Sequence, residues 1–238
     1  MRYKIVDWDT AFFGILVARI DYPNVTNQEL LDILFHLKKK RVQLVYWPAN
    51  KKLEEKNILK WFNINLVDKK TTFVKDFRNM TCEQVVHPAL VKSYSPSMST
   101  NDVVSLAIQS GKYSRFAVDP HIAREKFEAL YRIWMHRSLN KEIAEEVLVI
   151  QYNGCVVGMI TLGNKHGRGE IGLLAVDRTY RRQKFAEKLI RAAQCWFIKN
   201  GYEFGQVITQ EANIPACNLY KKCGYSIEKI EYYYHFWL

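Results

Sequence analysis

Long apolar runs are missing from this 238-residue sequence, because no window reaches 18 consecutive apolar residues. No membrane span is therefore expected. The opening residues, MRYKIVDWDTAFFG, carry acids inside their apolar stretch and so lack the hydrophobic region of a signal peptide. Internal repeats and low-complexity segments are also missing. We expect a folded protein, because 48% hydrophobic residues suffice for a core. Since neither a membrane span nor a signal peptide is predicted, we expect it to be cytoplasmic.

Cysteine is scarce, with five residues, an odd number, and no Cys-x-x-Cys pair. Cys195 and Cys217 fall on apolar helix patterns. We therefore expect reduced thiols in a core rather than a disulfide framework. The six histidines do not show the spacing of metal ligands, so no metal is predicted.

A concentrated basic stripe is lacking too, although the net charge is +11. Residues 1–95 hold 16 Lys and Arg against 10 Asp and Glu, and the remainder holds 19 against 14, so the excess is spread along the chain. The run of four cations at residues 38–41 ends a helix pattern, where cations suit the helix dipole. No nucleic-acid partner is predicted, because a diffuse excess fits small anionic ligands at least as well.

Alternating strand and helix patterns run through residues 1–95, which predicts a smaller N-terminal α/β domain. Asn27 is a candidate helix N-cap. A serine-rich segment at residues 93–101 follows, and we place the domain boundary between residues 95 and 96. Predicted strands cover residues 3–6, 13–20, 42–47 and 71–76, and predicted helices cover residues 27–40 and 53–62.

Residues 96–238 predict a second α/β unit with a mixed sheet. Asp119 and Pro120 predict a helix start, since proline suits the first helical turn. Asn153 and Gly154 predict a hairpin turn between two strands. The predicted strands cover residues 147–151, 156–162, 170–176, 204–209 and 226–237, with helices over residues 180–200 and from about residue 214 to near Gly224.

The segment IGLLAVDRTYRRQKFA, residues 171–186, predicts an anion site. An apolar strand pattern ends at Asp177, and basic residues lead straight into an amphipathic helix pattern. The first amides of a helix have no intrahelical partner, so such a junction binds anions. A second segment, NIPACNLYKKCGY, residues 213–225, follows about 30 residues later.

Together the two segments resemble the acyl-CoA-binding core of the GCN5-related N-acetyltransferase (GNAT) superfamily. The family's first signature has Arg or Gln, then Gly, then Gly or Ala, and here Arg181, Lys184 and Ala186 occupy those places, with Lys184 replacing a glycine. The second signature is filled at every place, by Asn213, Ala216, Leu219, Tyr220, Gly224 and Tyr225. The resemblance covers about residues 110–238 and implies a mixed-sheet α/β (α+β) fold.

The resemblance also implies acetyl-CoA as acetyl donor and assigns roles to residues. Tyr220 is the predicted general acid, and Glu170 is the predicted general base, with an exposed strand-end charge as its alternative. Arg115 and Phe116 are predicted to contact the acceptor, although a structural role fits them equally. The predicted cofactor-binding residues are Leu174, Ala175, Val176, Arg181, Arg182, Gln183, Lys184, Phe185, Ala186, Asn213 and Tyr220.

Three further segments, at residues 7–20, 114–122 and 232–237, resemble a bacterial subgroup. Its members, the dTDP-fucosamine acetyltransferases, acetylate the amino group of a nucleotide-linked 4-amino-4,6-dideoxyhexose. The resemblance implies a dTDP- or UDP-linked amino-dideoxy sugar as acceptor, for surface polysaccharide or glycan synthesis. A protein N-terminus or another small amine stays open as acceptor, as does a non-catalytic basic binding module. The oligomeric state also stays open, with a homodimer as one option.

Overall fold

Ten strands and seven α-helices alternate along the part of the chain that the computed structural model describes, residues 3–53, 61–82 and 90–238. The strands are β1 (Tyr3–Ile5), β2 (Val17–Ile20), β3 (Leu44–Ala49), β4 (Asn63–Asp76), β5 (Val91–Ser93), β6 (Glu146–Tyr152), β7 (Cys155–Lys165), β8 (Arg168–Val176), β9 (Phe204–Gln210) and β10 (Ser226–Trp237). The helices are α1 (Asp7–Phe13), α2 (Asn27–Lys39), α3 (Thr100–Ser110), α4 (Arg115–Val118), α5 (Arg124–Leu139), α6 (Phe185–Lys199) and α7 (Ile214–Lys222).

One mixed sheet contains all ten of these strands, in the order β1-β2-β3-β10-β4-β9-β8-β7-β6-β5. The β2–β3 and β8–β9 pairs are parallel, and the other pairs are antiparallel. Strand β4, from the first 95 residues, lies between β10 and β9. Strands from both sides of the predicted boundary at residue 95 are therefore hydrogen-bonded in one sheet. The division of the chain into two domains stays a prediction.

Alternation along the strands fixes which helix covers which face of the sheet. In β6, Leu148 and Ile150 pack in a cluster with residues of α6, whereas Val147 and Val149 pack in a cluster with residues of α3 and α5. Successive side chains of a strand point to opposite faces, so α6 lies on one face and α3 and α5 lie on the other.

Two helix starts in the structure differ from those predicted from the sequence. Thr26, not Asn27, caps α2, because its hydroxyl and the Glu29 side chain form a reciprocal capping box. The predicted helix start at Pro120 was also wrong. Asp119 there has extended backbone angles, and its carboxylate is engaged elsewhere, so α5 begins only at Arg124.

The other predicted turns, strands and helices can be compared with the structure in the same way. The Asn153–Gly154 turn is confirmed, with both residues at positive φ between β6 and β7. The strand predicted over residues 13–20 starts only at Val17, and residues 7–13 form α1 instead. Strand β4 starts eight residues before the predicted 71–76. Most of the helix predicted over residues 53–62 lies outside the described residues.

The expectation of reduced thiols was wrong for one pair. Cys82 and Cys195 form a disulfide that joins a segment following β4 to the buried face of α6. Cys155, Cys217 and Cys223 are free. An odd cysteine count therefore did not exclude a disulfide. Among the described residues, no helix is both long and apolar enough to cross a membrane.

Candidate active site

Strands β8 and β9 separate part of the way along their length. Their parallel ladder covers Gly169–Ile171 opposite Gly205–Val207. Beyond Ile171 the ladder stops, while β8 continues to Val176 and β9 continues to Gln210. The β9-facing edge of β8 is thus left without a strand partner over residues 172–176 among the described strands, and its backbone groups can bind a ligand.

The pairing of β8 with β7 is irregular at the same place. The register shifts between Ile160 and Leu162, and the Leu173 amide donates a hydrogen bond to Thr161 Oγ1 at 2.8 Å. A Cβ atom on Gly172 would lie 2.8 Å from that oxygen, so glycine allows this close approach. The predicted cofactor-binding residues Leu174, Ala175 and Val176 are antiparallel partners of Ile160, Met159 and Gly158.

The basic turn between β8 and α6 has the geometry of an anion site. Arg182 and Lys184 both have positive φ, of 64° and 60°. Lys184 is the N-cap of α6 and makes no capping hydrogen bond, unlike the capping side chains of α2, α3 and α7. The first intrahelical bond runs from the Lys188 amide to the Lys184 carbonyl, so the preceding amides stay available to an anion.

A small cavity of about 280 Å³ lies against this turn, and we call it the turn cavity. Leu219 and Lys222 of α7 form its other side. Arg181 also donates a hydrogen bond from Nε to the Val176 carbonyl at 3.2 Å, which joins the turn to the end of β8. Most of the predicted cofactor-binding residues of the turn line it, namely Val176, Arg181, Arg182, Lys184, Phe185 and Ala186. Among the residues that the structure describes, Gln183 does not line the turn cavity.

A second cavity of about 500 Å³, the splay cavity, opens where β8 and β9 separate. Ile171, Gly172 and Leu173 of β8 line it opposite Ile208 and Gln210 of β9. Three predicted residues, Glu170, Arg115 and Phe116, line the same cavity. The structure thus brings the predicted base and the predicted acceptor contacts together.

Asp68 lines the splay cavity as well, and the sequence analysis missed it. Burial raises the pKa of Asp68 from 3.8 to about 7, although the Gln210 side chain, Arg115 and Lys70 act in the opposite direction. Its Oδ1 atom is buried and has no hydrogen-bond partner among the described residues. A buried carboxylate with a pKa near neutrality and an unused acceptor atom is suited to accept a proton.

Glu170 is held differently. Its Oε1 accepts hydrogen bonds from Lys165 Nζ at 2.9 Å and from Gln206 Nε2 at 3.4 Å. The side chain is 22% exposed and forms an ion pair with Lys165. Glu170 Oε1 is thus engaged by a cation and an amide, whereas Asp68 Oδ1 has no hydrogen-bond partner among the described residues.

Arg115 lies among aromatic rings. Its guanidinium carbon is 4.1 Å from the Tyr46 ring centroid, 4.2 Å from that of Phe116 and 4.7 Å from that of Tyr233. Arg115 Nη1 is 3.4 Å from His235 Nε2. Stacking on three rings, which is favourable for a cation, fixes the plane of the guanidinium at the wall of the splay cavity.

A buried hydrogen-bond chain holds this arrangement. His235 Nδ1 lies 2.5 Å from Asp119 Oδ2, which also accepts from Trp237 Nε1 at 3.0 Å. Burial lowers the pKa of His235, and the Arg115 cation adds to this, so the imidazole is neutral at pH 7. Burial alone would raise the pKa of Asp119, but the bonds from His235, the His121 amide and Trp237 hold it below its ordinary value.

These charge states decide the tautomer of His235. An ionised Asp119 can only accept, so His235 Nδ1 must carry the proton and Nε2 must be an acceptor. Nε2 then accepts from Arg115 Nη1. Asp119, between α4 and α5, and His235, on β10, thereby orient a cation in the splay cavity.

Tyr220 lies in the core on the α6 face. Its ring packs 5.7 Å from that of Phe73 in β4 and 6.2 Å from that of Tyr225, measured between centroids. Burial raises its pKa well above the ordinary value of 10. The phenol is therefore protonated at neutral pH, as a general acid requires, although Tyr220 lines neither the turn cavity nor the splay cavity.

Asn213 caps α7. Its side-chain oxygen accepts from the Ala216 amide at 3.4 Å, and its Nδ2 lies 3.4 Å from Thr209 Oγ1. One side chain thus ties the start of α7 to the end of β9. The predicted contact between Asn213 and the cofactor stays a prediction.

Comparison with known proteins agrees with this geometry. A sequence model of the acetyltransferase (GNAT) family matches residues 114–225. The match covers the splayed strand β8, the basic turn, α6, β9 and α7. It leaves out Asp68 and His235, which lie before and after it.

Curated relatives match parts of the chain. The spore coat polysaccharide biosynthesis protein SpsD of Bacillus subtilis is 27% identical over 58% of this chain and 47% of its own length. A streptothricin acetyltransferase of Escherichia coli is 34% identical over 32% of this chain and 44% of its own length. N-alpha-acetyltransferase 30 of Dictyostelium discoideum is 29% identical over 44% of this chain and 59% of its own length. The chain thus spans less than two thirds of these relatives.

Solved structures share the fold over nearly the whole chain. A GCN5-related N-acetyltransferase from Sphaerobacter thermophilus superposes with a TM-score of 0.64 at 13% identity, covering 98% of this chain and 75% of that one. A tandem GNAT protein from the clavulanic acid biosynthesis pathway gives a TM-score of 0.56 at 12% identity, covering 92% and 74%. Acetyl-CoA is the acetyl donor of this family, and the free amides, cations and splayed strand fit it. By sequence model, residues 114–225 belong to the GNAT family of acetyltransferases, and the solved structures share the fold of the chain.

Proposed function

We propose that this protein transfers the acetyl group of acetyl-CoA to the amino group of a nucleotide-linked amino-dideoxy sugar. The observation that carries the proposal is the splay cavity, where the separated ends of β8 and β9 meet Asp68 and Arg115. The turn cavity opens at the other end of the same β8 segment. Donor and acceptor sites thus lie along one strand.

The residues that would hold acetyl-CoA are those of the turn and of β8. The α6 amides and the cations Arg181, Arg182 and Lys184 suit its pyrophosphate, and the open edge of β8 suits the amides of its pantetheine arm. When bound, acetyl-CoA supplies the thioester whose acetyl group is transferred. Backbone amides at the β8 edge suit an oxygen that gains negative charge.

Asp68 is the proposed general base. The amino group of the acceptor must lose a proton to become nucleophilic, and a carboxylate with a pKa of about 7 can accept that proton near neutral pH. Asp68 Oδ1 has no other partner among the described residues, so the proton has a defined destination. We propose Asp68 for this role ahead of Glu170, whose carboxylate is already paired with Lys165.

Tyr220 remains the proposed general acid. Its raised pKa keeps the hydroxyl protonated, which preserves a donor for the leaving sulfur. Arg115 is the proposed acceptor contact, since its oriented guanidinium can donate to a sugar hydroxyl or a phosphate oxygen.

The choice of acceptor has three supports. The subgroup segments at residues 7–20, 114–122 and 232–237 resemble enzymes of nucleotide-linked amino sugars. The similarity to a spore coat polysaccharide biosynthesis protein also favours a role in glycan synthesis. The net charge of +11 favours an anionic acceptor. We further propose that the protein acts in the cytoplasm.

A second acceptor class keeps the same donor chemistry. The similarities to a streptothricin acetyltransferase and to an N-alpha-acetyltransferase favour a small amine or a protein N-terminus. Incubating the protein with acetyl-CoA and each candidate amine, and following thiol release and product mass, separates the two. Steeply lower kcat/KM for the free amino sugar and for a peptide amine is expected. Equal turnover of either would reject the nucleotide-linked sugar in favour of the second class.

A further inference from the structure

A third and larger cavity lies beside the proposed active site, on the face of the sheet that α3 and α5 cover. Its volume is about 940 Å³, within the range of small-molecule sites. We call it the basic cavity, because five cations and a single carboxylate, Glu128, line it. The cations are Lys112, Arg124, Arg132, Arg178 and Arg181.

Four of these five cations form no ion pair with any residue that the structure describes. Arg124 forms an ion pair with Glu128 at 2.8 Å, and Arg181 Nε donates to the Val176 carbonyl. Lys112, Arg132 and Arg178 form no ion pair with any residue that the structure describes. Cations gathered around one cavity repel each other, so an anion with more than one charge would bind there favourably.

Part of the remaining lining is apolar. Val104 and Ile108 of α3 face the cavity, together with Phe116, Ile122 and Phe127. Phe116 and Phe127 are both buried, which gives a firm aromatic wall. Cations beside an aromatic wall match a ligand with phosphates at one end and a flat ring at the other.

Shared residues connect the basic cavity to the two others. Phe116 lines both the basic cavity and the splay cavity, and Arg181 lines both the basic cavity and the turn cavity. The turn cavity already offers the α6 amides to the donor pyrophosphate. The basic cavity is thus a second anion site that adjoins the cavity holding Asp68.

We propose that the basic cavity binds the nucleoside diphosphate of the acceptor, with Lys112, Arg132 and Arg178 holding its two phosphates. The amino sugar would then extend past Phe116 into the splay cavity, where Arg115 and Asp68 lie. This inference rests on the proposed function and deepens it, because it says where the nucleotide binds. The same cations suit the other phosphate of the donor, the 3′-phosphate of CoA, so the test includes that ligand.

The test measures binding of separate ligands by isothermal titration calorimetry. The probes are dTDP, UDP, thymidine, adenosine 3′,5′-bisphosphate and acetyl-CoA. The variant is Lys112→Glu with Arg132→Glu, and a milder Lys112→Ala with Arg132→Ala guards against a folding defect. The matched control, Lys39→Glu with Lys92→Glu, makes the same change of charge at exposed sites outside the three cavities.

The proposal expects dTDP or UDP to bind the wild type, and thymidine to bind far more weakly. The double reversal should weaken that nucleotide by roughly 10²-fold, the scale of lost charged hydrogen bonds, and should flatten its salt dependence. Acetyl-CoA affinity should stay within about twofold in the variant, and the control should behave as the wild type.

Other outcomes overturn the proposal. Weaker binding of adenosine 3′,5′-bisphosphate and acetyl-CoA, with dTDP and UDP unaffected, would assign the cavity to the donor. Unchanged binding of every ligand in both variants, or no binding of dTDP and UDP to the wild type, would also reject it. Failure of the proposed function reads differently, because acetyl-CoA would then fail to bind the wild type or no amine would be acetylated.

Discussion

Replacing Asp68 with Asn removes one charge and almost no volume, and should make the protein more stable at alkaline pH. In the folded chain, burial raises the pKa of this carboxyl to about 7, whereas its ordinary value is 3.8. The folded protein therefore keeps a proton that the unfolded chain releases. The free energy of unfolding falls as the pH rises from about 4 to about 7, and the loss is complete above pH 7.

The gap between the two pKa values sets the size of this effect. It corresponds to about 4 kcal/mol at pH 8, and little of it is present at pH 4. Asp68→Asn should recover up to that amount at pH 8 and should change little at pH 4. Since 1 kcal/mol moves Tm by about 2–4 °C in a chain of this size, a rise of several degrees is expected at pH 8.

Activity should move in the opposite direction. In the wild type, kcat/KM should rise with pH around a pKa of about 7, as Asp68 loses its proton and becomes a base. The Asn variant cannot accept a proton, so kcat should fall by roughly 10²-fold or more, and this rise should disappear. A residue that only supported the fold would lose stability and activity together.

The assay combines thermal unfolding between pH 4 and pH 9 with pH–rate profiles under conditions where chemistry limits turnover. Glu170→Gln is the matched control, since it neutralises the other carboxylate of the same cavity, one that is paired with Lys165. The reasoning is refuted by an Asp68→Asn variant that melts at the wild-type temperature or below it at pH 8. A variant with wild-type kcat would remove Asp68 from the mechanism, and loss of the pH-dependent rise in Glu170→Gln alone would return Glu170 to the role.

Four further outcomes are expected. Arg181→Glu with Arg182→Glu should abolish the thermal stabilisation that acetyl-CoA gives the wild type, and a wild type with no such shift at millimolar acetyl-CoA would reject the donor site. Tyr220→Phe should lower kcat by roughly 10²-fold with KM for acetyl-CoA unchanged, and an unchanged kcat under chemistry-limited turnover would exclude Tyr220 as the acid. Asp119→Asn should misorient Arg115 through His235 and raise KM for the acceptor by roughly 10-fold, as loss of a charged hydrogen bond does, while a change confined to Tm would leave it a merely structural residue. Lys184→Gly should raise stability by about 1 kcal/mol because it relieves a left-handed residue, whereas Lys184→Ala, which keeps the Cβ atom, should not.

The proposed donor site could be predicted from the sequence because most of it is contiguous. One strand, one turn and one helix start within residues 171–186 form most of it, and α7 adds Leu219 and Lys222, so a local pattern of apolar, basic and helical residues predicts it. The structure also explains the one departure from the family signature. Lys184 occupies the glycine position at positive φ, which a non-glycine residue adopts only at a cost of about 1–2 kcal/mol.

The role of Asp68 could not be predicted from the sequence, because its neighbours in the fold are distant along the chain. Nothing in its neighbours distinguishes it from the other acids of residues 1–95, and the predicted strand began only at residue 71. Its environment comes from β10 and β9, where Tyr233 and Gln210 lie some 140–165 residues further along the chain. The shift in its pKa is a product of that tertiary burial, which no periodicity records.

The aromatic segment at residues 232–237 could be predicted only in part from the sequence. Side chains alternate along a strand, so Tyr233, His235 and Trp237 share one face of β10. Tyr233 and His235 are buried there. The proposed role of His235 depends on its hydrogen bonds with Asp119 and Arg115. A strand pattern cannot predict these partners, because they lie more than 100 residues away in the sequence.

The different origins of the two sides of the site bear on how acceptors are chosen within this family. The matched family segment, residues 114–225, supplies the whole turn cavity and both splayed strands. The proposed base comes from β4, and two of the three rings that support Arg115 come from β3 and β10, all outside that segment. Similarity over this segment therefore covers the proposed donor site but leaves out Asp68, Tyr46 and Tyr233. Similarity confined to it supports acetyl-CoA as donor, whereas the proposed acceptor site also depends on what β4 and β10 contribute to the splay cavity and on the Tyr46 ring of β3 against Arg115.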